Sequence, residues 1–151
     1  MFDSDLWKDI FDKLYEIVHD IPDFKGNVTQ GDRYPPDKYP FACITPALPI
    51  TMSSAPVTFQ EDEWFYNFEI GIGVHGENPD VNMFDAMRLA NKIGEAIEDD
   101  RKLTIKDESS QLSRSLVHTT HIVQIISDWR KHSQGLETYW VGLIVQCRKK
   151  Q

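Results

Sequence analysis

The sequence has no apolar run approaching the roughly 20 residues that a membrane-spanning helix requires, only two cysteines, and neither a P-loop nor G-x-S-x-G, while the glycines of its GIGVHG stretch begin within a strand pattern, Gly71 and Gly73, rather than opening a helix. The lack of an apolar run speaks against a spanning helix. Residues 1–13, MFDSDLWKDIFDK, are acidic where a secretory leader would be basic and then apolar, so the expectation is a soluble, unprocessed chain. Cys43 and Cys147 lie in apolar, strand-like segments, which points to buried free thiols rather than a disulfide framework or a metal site. Basic residues are also scarce: 16 Lys+Arg face 24 Asp+Glu, a net charge of −8. The deficit is uneven, with 7 basic against 20 acidic residues over 1–100 and 9 against 4 over 101–151. The acidic part argues against a protein that coats nucleic acid, whose affinity comes from neutralising phosphates. The basic remainder leaves room for attraction between neighbouring copies of one chain.

What is present is a core. Hydrophobic residues make up 40% of the 151, enough for one folded domain over 1–151. From Asp3 to about His19, Leu6, Trp7, Ile10, Phe11, Leu14, Ile17 and Val18 recur at helical spacing, and Pro22 closes the segment. Residues 25–40 carry two glycines and three prolines and read as loop with a short strand near Val28. Phe41 to Thr45 reads as a strand, and the proline-punctuated ALPITMSSAP after it is neither helix nor central strand. Trp64 to Val74 alternates with period two: Trp64, Tyr66, Phe68, Ile70, Ile72 and Val74 share one face. A second helix is predicted from Asp80 to about Glu98, capped by Asn78, with Val81, Phe84, Met87, Ala90, Ile93, Gly94 and Ile97 as its apolar stripe. Residues 99–115 read as a long loop or short edge strand. Two strands follow, marked by Ile122, Val123, Ile125 and Ile126 and by Thr138 to Cys147. The expected fold class is α+β, an antiparallel or mixed β-sheet with two α-helices packed on one face.

The search for chemistry yields little. Of the histidines His19, His75, His118, His121 and His132, His118 and His121 are three apart in a strand-like segment, face opposite sides and have no Cys or carboxylate at a ligand-like offset, and His75 reads as a surface turn residue or a lone base. No metal or other cofactor is expected. Glu61, Asp62 and Glu63 precede the long strand and, with Glu69, form the one carboxylate set suited to Mg²⁺. A solvated strand entry explains them as well. Nothing around Cys43 suggests an activated thiol, so no catalytic residue is assigned.

The amphipathic first helix, the YPFACITP strand after a proline-rich loop, the alternating WFYNFEIGIGV, the helix VNMFDAMRLANKIGEAIEDD and the final TYWVGLIVQC together resemble the tail terminator proteins of long-tailed bacteriophages. The likeness is one of layout, length and pattern over nearly the whole chain. It implies a virion structural protein, not an enzyme, assembled in the host cytoplasm. Six copies would typically form a ring that caps the head-proximal end of the tail tube, stops its polymerisation and offers a surface to the head connector. The implied partners are further copies of the chain, the tail tube protein and a head-completion or connector protein. DNA would pass through the lumen without specific binding, and no membrane is involved. Leu48, Ile50 and Met52 of the apolar loop and the aromatic residues Phe59, Phe65 and Trp140 are the candidates for intersubunit or tube contacts. Coverage of the second sheet face within one subunit is their other reading. Two further functions stay open: another head-tail joining or completion protein, and a small metal-dependent nuclease or hydrolase using Glu61, Asp62 and Glu69.

Overall fold

The computed structural model describes residues 3–31, 38–47, 51–53, 63–76, 78–131 and 137–150. Helix α1 (Ser4–His19) begins at Asp3, whose extended backbone lets its carboxylate accept the Leu6 N–H at 3.0 Å. Ile10, Leu14 and Val18, four residues apart, form its buried row. A single 3₁₀ turn, Pro22–Phe24, follows and leads into β1 (Val28–Gln30). The remaining elements are β2 (Phe41–Pro46), β3 (Thr51–Ser53), β4 (Glu63–Val74), α2 (Pro79–Glu98), β5 (Thr104–Lys106), β6 (Ser113–Ser115), β7 (Thr119–Lys131) and β8 (Glu137–Lys150).

The main sheet runs β1-β2-β4-β8-β7, and β3 pairs with the first residues of β4 beyond the end of β2. The β1–β2 pair is parallel and every other pair antiparallel, so the sheet is mixed. Both helices cover one face. Tyr66, Phe68, Ile70 and Ile72 of β4 and Val141, Leu143 and Val145 of β8 point into that layer, where they meet Ile10 and Leu14 of α1 and Leu89, Ile93 and Ile97 of α2. Each such side chain contributes about 1.5–3 kcal/mol when fully buried. The alternation read in β4 is therefore the core alternation.

The opposite face carries a smaller cluster of Phe41, Cys43 and Trp140, with Tyr39 against it. Glycine makes room for it. Gly73 lies across from Trp140 and Gly71 from Gly142 in the β4–β8 register. A Cβ on Gly71 would overlap the Trp140 ring, and one on Gly73 the Phe41 ring.

Two sequence expectations need correction. The apolar stripe expected on α2 merges two faces: Ala90, Ile93 and Ile97 are buried, together with Ala86 and Leu89, whereas Val81, Phe84 and Met87 are exposed. Residues 99–115 are not simply a loop or a strand on the main sheet, because β5 and β6 form a two-stranded sheet of their own, anchored by buried Leu103 and Leu116.

Candidate functional site

The site is built from one edge of the sheet. Strand β7 pairs only with β8, so among the described residues its other edge is open. An open edge presents a row of backbone donors and acceptors to any strand that comes alongside. Its apolar residues do not alternate cleanly, and the register shifts between Ile122 and Gln124 as a bulge. Ile125 lies opposite Leu143 on the helix-covered face, and Ile126 lies opposite Gly142 on the other face. Both are exposed, Ile125 by 55%. The edge is thus apolar on both sides of the sheet.

Helix α2 extends this surface. Asn78 caps it by accepting the Asp80 N–H at 3.1 Å, and Pro79 occupies the first turn. Phe84 is 69% exposed, with Val81, Met83 and Met87 exposed beside it. Between α2 and β7 lies an open groove of about 340 Å³, floored by Met87, Ala90, Ile122, Ile125 and Leu143, with Asn91, Glu95 and Glu98 also on its wall. Gly94, without a side chain, opens the middle of the groove. The arrangement offers an apolar floor, an acidic rim and a strand edge that is unpaired among the described residues, which together suit a protein partner.

The residues singled out in the sequence fall elsewhere. Leu48, Ile50, Phe59, Glu61, Asp62 and His132 lie outside the described residues. Met52 is in β3, opposite Trp64. Phe65 is half-buried on β4, with the Arg148 guanidinium 5.1 Å above its ring. Trp140 is 4% exposed and packed against Phe41, with ring centroids 5.6 Å apart. Glu63 is engaged by His118, whose Nε2 lies 3.1 Å from its carboxylate, and His118 stands just ahead of β7 rather than within it. Among the described residues no three His, Cys, Asp or Glu side chains gather as a metal site. Both thiols are buried. Burial pushes the Cys147 thiol up to about 12, so it stays protonated at neutral pH. The sequence conceals the groove because Met87, Ala90 and Gly94 on its wall continue the apolar stripe of α2. The width of the apolar stripe was the available signal, since Val81, Phe84 and Met87 spread too far around the helix to share a face with Ile93 and Ile97.

No protein-family model matches the chain, and no curated protein matches it. Among solved structures, the fold is similar to that of a chain from the virion of a native gene transfer agent particle. The alignment covers 99% of this chain and 100% of that one, at a TM-score of 0.55 and 9% sequence identity. The likeness at that identity is one of fold. A second solved chain, aligned over 97% of this chain and 96% of its own at 13% identity, has a TM-score of 0.42, too low to support an argument.

Proposed function

We propose that the chain is a structural protein of a phage-like virion, and within that class a tail terminator. Copies form a ring, six by the family resemblance, at the head-proximal end of the tail tube. The ring stops tube polymerisation and presents a docking surface to the head-completion or connector protein, while DNA passes through its lumen. The observation that carries this reading is the open, apolar edge formed by β7 and α2. It belongs to a domain whose fold recurs end to end in a virion chain. A ring needs each copy to offer two unlike surfaces, and a broad apolar face on a small domain is a surface of that kind. The uneven charge, negative over 1–100 and positive over 101–151, supports the same arrangement. Met52 and Phe65, at the β3 end of β4, together with Leu48, Ile50 and Phe59, remain the proposed tube or intersubunit contacts, while the buried Trp140 covers the second sheet face within the subunit.

Polymerising the cognate tube protein with and without this chain tests the proposal. Tubes of limited length, each with a ring at one end in negative stain, are expected, along with a closed oligomer in native mass spectrometry. Tubes that grow unchanged, with the chain unattached to them, would sink it.

A further inference from the structure

The groove between α2 and β7 has a counterpart elsewhere on the same chain. The β5–β6 hairpin carries Leu112 at its turn, 70% exposed. That turn is held in shape: Asp107 N–H donates to the Leu112 carbonyl at 2.9 Å and Gln111 N–H to the Asp107 carbonyl at 2.8 Å. Asp107 in turn accepts the Ser109 N–H at 3.1 Å and the Ser109 hydroxyl at 2.8 Å. Gln111 adopts a left-handed conformation, φ 58°, which reverses the chain just before Leu112. An apolar side chain on a pre-shaped turn loses little freedom when it binds.

Charge adds one cation to the knob: Lys106 stands where β5 meets the turn, Arg114 lies opposite Ile105 on the other side of the hairpin, and Glu95 and Glu98 stand on the groove. Lys106 takes part in none of the ion pairs of the described residues, and Arg114 reaches Asp9 only at 3.7 Å. Asp107 and Glu108, both exposed on the turn, are the hairpin's countervailing charges, with the Asp107 carboxylate engaged by Ser109, and Arg101 lies 3.6 Å from Glu98 at the end of the groove. Position completes the match. The hairpin flanks α1, through Arg114 and Asp9, and the groove lies on the β7 side of α2. One copy therefore presents a knob and a groove on different sides, as a head-to-tail contact requires.

We infer that the β5–β6 hairpin of one copy seats Leu112 in the α2–β7 groove of the next. This contact deepens the ring reading and rests on it. Head-to-tail binding has a signature in mixing experiments. Leu112→Asp spoils the knob and keeps the groove, and Ile125→Asp spoils the groove and keeps the knob. Both positions are exposed, so both variants are expected to fold.

In sedimentation velocity, each variant alone should stay monomeric where the wild type assembles, its self-association weakened about tenfold or more. An equimolar mixture should form a one-to-one dimer and nothing larger. Leu112→Asp assembling like the wild type would overturn the contact, as would a mixture that stays monomeric. Independently, Leu112→Cys mixed with Met87→Cys under mild oxidation should give a covalent dimer, because Cys43 and Cys147 are both buried. Absence of that dimer in an assembling sample argues against the contact. Capping failure is separable: wild type that self-assembles but leaves tube growth unchanged defeats the terminator reading alone. Leu112→Asp that still assembles into capping rings defeats the contact alone.

Discussion

Asp23 links the turn after α1 to α2 by accepting hydrogen bonds from Lys92 Nζ at 2.8 and 3.0 Å and from Arg88 at 3.0 Å. These two cations hold its carboxyl below the usual carboxylate range. Its folded pKa is thus below its unfolded one, so its contribution to stability is present above the unfolded value, about 3.9, and fades as pH falls through the folded value. Asp23→Asn should lower the thermal midpoint at neutral pH, and the gap to wild type should close in acid. Melts followed by circular dichroism across pH check this, and a gap that stays constant contradicts it. Gly71 poses a steric question instead. Gly71→Ala pushes a methyl group into the Trp140 ring, and overpacking of that kind costs about 1–3 kcal/mol. Urea unfolding of Gly71→Ala, alone and combined with Trp140→Leu, should show the smaller side chain recovering part of the loss.

At the scale of elements, α2 holds the clearest contrast, because it faces its own sheet on one side and open solvent on another. Ile93→Ala on the buried side should cost about 2–5 kcal/mol in urea unfolding. Phe84→Ser on the exposed side should stay within about 0.5 kcal/mol of wild type, while weakening assembly if the α2 surface is the interface. The sequence discloses the two helices, the strand at Trp64 to Val74 and the α+β class, because a single buried face imposes a single period on each. It misleads where one element serves two surfaces: Met87 and Phe84 look like core since apolarity is all a sequence records, whether the burying partner is the same chain or another. The hairpin of β5 and β6 is obscure for a different reason. SRS and TIK are too short and polar to carry a period, and their pairing is held by Leu103 and Leu116 outside the strands. In β7 the bulge after Ile122 breaks the alternation that would have separated Ile125 from Ile126.

For the whole molecule, an association steered by Glu95 and Glu98 on one copy and Lys106 on another should respond to salt. Raising ionic strength from about 0.05 to 0.5 M shortens the screening length severalfold, so assembly should slow and weaken, though the apolar floor of the groove keeps it from vanishing. Light scattering after dilution into increasing sodium chloride reads this directly, and rates indifferent to salt would leave the charged rim without a role. Strand order sets a further condition. Although β8 follows every other described strand in sequence, it lies inside the sheet between β4 and β7, and its Leu143 floors the groove. During synthesis, then, β7 has no strand to pair with among the described ones, and the groove no Leu143 floor, until residues through about 150 have left the ribosome. A nascent or truncated chain has no groove to offer, so recruitment into an assembly is reserved for molecules whose translation has passed β8.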